Sequence, residues 1–466
     1  MLFCKKTLSK CFLPCLAAGA IFLSFSQDAA FARDSVFTQK GTGPLYWSSY
    51  EYCKTTDGAL PEERWQKTID WLDKDFKQYG YSMVSIDGWG DTKNFNENGY
   101  RTKHSSEWKY DYAYWSKYLQ NKGMELGIYN NPLWVSKYAV DAGCKVIGTN
   151  TPLKDIVSNE DMFADDQYWV NVDHPDAEKY VKGYVEYYKN MGVKFLRVDF
   201  LSWYEDGKDK GKPVPWGTNV NHGVARYMKT LKWMQEACGN EMELSLVMPH
   251  LNGNAAVEMK YGDMVRVNED CGDGGWNRFS DLNRGQAFDY WSKYSNSFDG
   301  LIYWSQYFNR GKMIPDADML RLNTFKNDDE RKTAVSLCAI AGAPIDIADQ
   351  YDTIGNSAWI YQNKELLDLN REGFIGKPFS NDPKNKESQK WKGQLPDGTW
   401  VVGLFNREND AEERTIDFAK DLGITTVGNV HDVWEHKDLG EMKDYKVKLP
   451  AHSCVILKID GNKAAQ

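Results

Sequence analysis

The chain is poor in the side chains that bind transition metals. Histidine occurs only 7 times in 466 residues, nowhere in an H-E-x-x-H or comparable spacing, and no C-x-x-C pair exists, so no metal site is expected. Positive charge is not in excess either, with 57 Lys and Arg against 66 Asp and Glu and a formal net charge of −9. Without a basic stripe to neutralise phosphates, nucleic acid is excluded as a partner class, and polyanions are disfavoured. Past the N-terminal region no apolar run reaches the ~18 residues a bilayer span needs. Of nine cysteines, Cys53, Cys144, Cys238, Cys271, Cys338 and Cys454 lie beyond that region. They are scattered singly, which leaves any disulfide pairing open. The oligomeric state is equally open. These absences favour a chemistry that uses neither metal nor cofactor.

The N-terminus carries Lys5, Lys6 and Lys10, then a mostly apolar stretch from Cys11 to Phe25 and an Ala30-Phe31-Ala32 site. This is the pattern of a signal peptide over residues 1–32, and it implies a secreted or periplasmic protein. A lipoprotein signal is the competing reading, but Leu13-Pro14-Cys15 sits inside the apolar stretch with Pro where a small residue is wanted.

After the leader, short apolar runs alternate with longer amphipathic segments, as in a parallel sheet wrapped by helices. Eight runs read as strands: 44–50, 81–87, 124–129, 194–200, 244–249, 264–270, 300–304 and 334–341. Eight is the count of a closed (β/α)8 TIM barrel, assigned here to residues 33–384. Helices are expected at about 62–78, where Trp65, Ile69, Leu72 and Phe76 recur at helical spacing, and at 112–122 and 175–191. Residues 134–166 show no period and read as an inserted loop, and the charged 207–213 run as a mobile polar loop. From residue 385 to 466 the runs become short and β-like, which predicts a small C-terminal antiparallel β domain.

The run Lys194-Phe195-Leu196-Arg197-Val198-Asp199-Phe200 is the centre of this reading. Residues two apart on a strand share a face, so Arg197 and Asp199 do, and a cation beside a buried carboxylate keeps it charged. In a barrel the active site collects residues from the C-terminal strand ends, where Asp87, Asp199 and Asp270 all fall. One such Asp is commonly a cap or a loop anchor; three are harder to dismiss. Two carboxylates on one pocket suit glycoside hydrolysis, with one attacking the anomeric carbon and the other protonating the leaving oxygen. The acid needs a raised pKa, from burial and from nearby negative charge such as Glu269 and Asp273. The 18 Trp and 27 Tyr add flat faces suited to sugar rings.

These residues fall into motifs that resemble glycoside hydrolase family 27, the α-galactosidase family, over nearly the whole chain after the leader. Trp47-Ser48-Ser49-Tyr50-Glu51 is similar to its opening G-W-N-S-W, Ile86-Asp87 to I-D-D-C-W, and Gly127-Ile128-Tyr129 to G-I-Y. Phe195-Leu196-Arg197-Val198-Asp199 resembles the Y-L-K-Y-D nucleophile strand, and Arg266-x-x-x-Asp270 the R-x-x-x-D of the acid/base. Pro315-Asp316-Ala317-Asp318-Met319-Leu320 resembles N-D-P-D-M-L, and the 339–344 run the A-I-M-A-A-P of the eighth strand. The resemblance implies a retaining α-galactosidase-type hydrolase acting on an oligosaccharide or polysaccharide, with Asp199 as nucleophile and Asp270 as acid/base. It also implies Trp47, Asp87, Tyr129, Arg197 and Arg266 as the lining of the sugar pocket, and a C-terminal antiparallel β-sandwich following the (β/α)8 barrel.

Three departures bear on specificity. The second Asp of I-D-D-C-W is Gly88 and its Cys is Trp89, the nucleophile-strand Lys is Arg197, and Leu246-Val247-Met248-Pro249 stands where many members have C-E-W-P. Losing hydroxyl partners changes sugar discrimination. A related sugar, a β-L-arabinopyranoside or an isomaltose-type α-glucoside, is therefore carried beside α-galactoside. Gly88 and Val247 also suit a carbohydrate-binding protein that has lost turnover, whereas retention of both Asp199 and Asp270 argues for an enzyme. A metal-dependent barrel hydrolase is the third alternative, and a chelator distinguishes it.

Overall fold

In a computed structural model of the chain, which describes residues 43–214, 217–308 and 313–461, eight short parallel strands form the organising sheet. They are β1 Leu45–Ser48, β2 Met83–Ile86, β3 Glu125–Tyr129, β4 Val193–Val198, β5 Glu243–Leu246, β6 Met264–Arg266, β7 Ile314–Asp316 and β8 Ile345–Ile347. Their order is β7-β6-β5-β4-β3-β2-β1-β8. A parallel bridge between Leu320 and Ile347 joins the two ends. It is held by Leu320 N–H on Asp346 O at 2.8 Å and Ala348 N–H on Leu320 O at 2.9 Å. The expected leader, residues 1–32, lies outside the described residues.

Two expected strands are helices. The 300–304 run belongs to helix Ser297–Trp304 and the 334–341 run to helix Asp328–Ala341. The seventh and eighth strands are instead the three-residue β7 and β8, so the 339–344 motif leads into the eighth strand rather than forming it. Both helices are buried on more than one face, which erases the polar stripe that would betray a helix. The expected helices are present at Glu62–Asp75, Tyr112–Asn121 and Ala177–Asn190.

Alternation along the strands builds the barrel interior in layers. Tyr46, Met83, Phe195, Met264 and Ile314 make a small apolar cluster. Two residues further along, on the same face of β4, β6 and β7, stand Arg197, Arg266 and Asp316. An apolar floor therefore carries a charged layer at the C-terminal strand ends.

The 134–166 segment is ordered structure. Trp134–Ser136, Met162–Ala164 and Gln167–Trp169 form a three-stranded antiparallel sheet. The 207–213 run is a small hairpin, Lys208–Asp209 against Lys212–Pro213. Its Lys210 pairs with Glu269 at 3.0 Å, and its Asp209 accepts from the Trp291 indole at 2.9 Å.

Past residue 376 a six-stranded and a two-stranded antiparallel sheet enclose a second core containing Val402, Leu404, Ile416, Val430, Leu457 and Ile459. This domain is riveted to the barrel by Arg407, which has no exposed side-chain surface. It pairs with Asp299 at 2.7 Å and donates to Ser280 Oγ at 2.9 Å and to the Ser280 carbonyl.

Candidate active site

Asp199 follows the last residue of β4. Its Oδ1 accepts the Phe200 N–H at 2.6 Å and its Oδ2 the Tyr129 hydroxyl at 3.0 Å. Phe200 adopts φ 62°, a left-handed conformation uncommon for a bulky residue, and that turn brings its N–H to the carboxylate. Phe163 of the inserted sheet packs edge-on to Phe200 at 4.8 Å and lies on Trp134 at 4.5 Å. Asn131 Nδ2 donates to the Asp199 carbonyl at 2.8 Å. The insertion and the residues after β3 thus hold the turn from both sides.

The expected Arg197–Asp199 pair does not form. Arg197 ion-pairs with Asp316 at 2.7 Å and approaches Asp318 at 3.7 Å, so it acts on Asp199 only through its field. Burial, and after it the charge of Asp270, push Asp199 up to about 7, against the opposing pull of the Phe200 N–H, Arg197 and the Tyr129 hydroxyl. Asp318 links the two sides of the site, lying 3.7 Å from Arg197 on the Asp199 strand and 2.7 Å from Arg266, which holds Asp270.

Asp270 lies four residues past Arg266, whose Nη2 bridges Asp270 at 2.6 Å and Asp318 at 2.7 Å. The Asp270 side chain is 56% exposed, and the two carboxylates expected to raise its pKa are neutralised, Glu269 by Lys210 and Asp273 by Arg278. The expected burial is therefore absent, and the Asp270 carboxylate is open to solvent and to a ligand.

Asp87 is buried beyond β2, and its Oδ1 accepts the Gly88 N–H at 2.7 Å. Burial raises it, while Arg197 and Arg266 draw it down. Burial alone would raise Asp316 too, but Arg197 and Arg266 outweigh it and hold this carboxyl low. Trp47 is set apart from the others: it has no exposed surface, packs on Trp65 and donates its indole N–H to Asp349 O at 2.9 Å. It supports the wall from behind rather than lining it.

Four residues at the site were absent from the candidate set. Tyr50 feels the charges of Asp270, Asp318 and Asp87, and with burial they raise its phenol far above the ordinary range. Asp316 and Asp318 fix the two arginines. Asp346 on β8 accepts from Ser48 Oγ at 3.1 Å, and burial raises it strongly. The apolar-Asp-apolar alternation of Ile345-Asp346-Ile347, the same pattern as Val198-Asp199-Phe200, was the signal for the last.

Among the described residues no group of three His, Cys, Asp or Glu side chains is arranged to hold a metal ion. The six described cysteines are all free thiols. No helix among these residues is long and apolar enough to cross a membrane.

Comparison with known proteins bears on this geometry. Residues 385–459 match the model of the alpha galactosidase C-terminal beta sandwich domain. Over 448 residues the chain is 44% identical to the isomalto-dextranase of Arthrobacter globiformis, an alignment spanning 93% of this chain and 69% of that protein. The Arthrobacter globiformis isomalto-dextranase structure complexed with panose superposes with a TM-score of 0.88 at 43% identity, covering 92% of this chain and 74% of that one. A β-L-arabinopyranosidase from Geobacillus stearothermophilus shares the fold, with a TM-score of 0.72 at 20% identity over 91% of this chain and 98% of that one.

Proposed function

Since the chain belongs to glycoside hydrolase family 27, we propose that it is a retaining glycosidase that cleaves an isomaltose-type, α-(1→6)-linked glucan. The observation that carries this reading is the pair Asp199 and Asp270, which lie beyond the C-terminal ends of β4 and β6 and are linked through Arg266, Asp318 and Arg197. The 44% identity to an isomalto-dextranase favours the glucan over the α-galactoside. Gly88 and Val247, where the family pattern has carboxylates, point the same way. Export guided by residues 1–32 is part of the proposal and rests on the sequence alone.

In the first step Asp199 Oδ attacks the anomeric carbon while Asp270 gives its proton to the leaving oxygen, so that a glycosyl–Asp199 ester forms as the glycosidic bond breaks. Asp199 is raised first by burial and then by the charge of Asp270, so a proton on Asp270 in its acid role removes the second of these and favours the ionised nucleophile. In the second step Asp270 takes a proton from water, which attacks the same carbon and frees Asp199. Tyr129 and the Phe200 N–H hold the nucleophile in line. Asp87 and Tyr50 are placed to bind sugar hydroxyls, and Arg197 and Arg266 set the field with Asp316 and Asp318.

The test is product stereochemistry and one substitution. Proton NMR of early dextran hydrolysate should show the α-anomer forming first, and Asp199→Asn should lower kcat at least about 10³-fold. A β-anomer as first product, or full activity of the variant, would overturn the mechanism.

A further inference from the structure

Trp89 occupies the position next to the missing carboxylate, and its setting is unusual. It is a bulky residue at φ 52° with 40% of its surface exposed. The other large exposed tryptophan among the described residues, Trp359, sits against Trp434 of the C-terminal domain. Two contacts fix the Trp89 ring. Its indole Nε1 donates to Asp57 Oδ1 at 3.2 Å, and Tyr50 meets it edge-on at 5.4 Å and 90°. The chain on either side is pinned as well. Gly90 lies so close to Arg101 and the His104 carbonyl that no side chain fits there, while a Cβ at Gly88 would meet only the Tyr129 ring at 3.4 Å.

An exposed indole held in a disfavoured backbone conformation implies a use for the exposed face. Trp89 stands two residues beyond Asp87 and next to Gly88, which faces the Tyr129 ring whose hydroxyl hydrogen-bonds Asp199 at 3.0 Å, so the indole is close to the reacting centre. The C–H face of a glucose ring stacks on an indole. We infer that Trp89 is the platform for a second α-glucosyl unit, the one joined to the sugar held among Asp87, Asp199 and Asp270, and that Gly88 leaves open the passage between the two. This deepens the glucan reading and rests on it: the pocket would take a single sugar, and Trp89 would make it recognise a chain.

The experiment measures binding in the inactive Asp199→Asn protein by calorimetry, with methyl α-D-glucopyranoside and isomaltotriose as probes. Adding Trp89→Ala should weaken isomaltotriose about 3- to 10-fold more than the monosaccharide, and Trp89→Phe should recover most of the difference. Asp57→Ala, which frees the indole without removing it, should give a smaller loss of the same selectivity and serves if Trp89→Ala folds poorly. Equal weakening of both probes, or none, would overturn the role of Trp89 while leaving the glucan reading in place. Failure of the Asp199→Asn protein to bind either probe would overturn the glucan reading itself.

Discussion

Asp199→Asn should stabilise the folded protein at neutral and higher pH while it abolishes turnover. Burial and Asp270 raise the Asp199 carboxyl from its ordinary 3.8 to about 7. The folded state therefore binds this proton more tightly than the unfolded chain does. Below pH ~4 both states are protonated and the group is neutral in the balance. As pH rises toward 7 the unfolded chain releases its proton while the folded one keeps it, so stability falls, and above 7 the full cost of an ionised buried carboxylate is present. At about 1.4 kcal/mol per pH decade the ceiling is about 4 kcal/mol, and water reaching this partly exposed side chain should reduce it to about 1–3 kcal/mol. Asparagine carries no such cost. Urea denaturation of both proteins should give a midpoint advantage for Asp199→Asn at pH 8 that shrinks through pH 6 and vanishes near pH 4. An advantage of the same size at pH 4, or a variant less stable than the parent at pH 8, would refute the claim that the cost is that of ionising the nucleophile.

Asp270→Asn should lower kcat/KM on dextran by about 10²- to 10⁴-fold, yet spare the first step on an aryl glycoside whose leaving group needs no proton. On that substrate the acid limb of the pH–rate profile should also move to lower pH, because burial still raises Asp199 but the added push of the Asp270 charge is gone. Arg407→Met leaves Asp299 buried without its cation and should cost about 3–5 kcal/mol in urea denaturation; pairing it with Asp299→Leu should return much of that loss. EDTA should leave kcat unchanged, and a loss restored by a divalent cation would revive the metal-dependent alternative.

The barrel was legible where the strand itself carries the apolar run. β2 and β4 each carry a run that ends beside a polar residue, and Asp87 and Asp199 could be placed at strand ends from alternation alone, whereas Asp270 lies four residues past the end of β6. β7 and β8 escaped because the helices beside them carry the apolar runs a strand would have, whereas β6, equally short at three residues, is itself part of such a run. Capping was the overlooked signal. Asn296 Oδ1 accepts the Asp299 N–H and Asn327 Oδ1 the Glu330 N–H, both at 2.9 Å, and both residues open helices. The site's carboxylates were readable, but their partners were not. That Arg197 chooses Asp316, 119 residues away, over its neighbour Asp199 is decided by how the barrel closes, which no local pattern records.

The inserted sheet has a consequence for how such a protein changes its diet. Because Phe163 braces the turn that presents Asp199, the inserted segment is part of the scaffold that aims the proposed nucleophile. Exchanging this segment between relatives to redirect specificity would detune the reaction unless an aromatic wedge is carried across with it, and lineages that diversified it would be expected to keep that wedge while everything around it drifts.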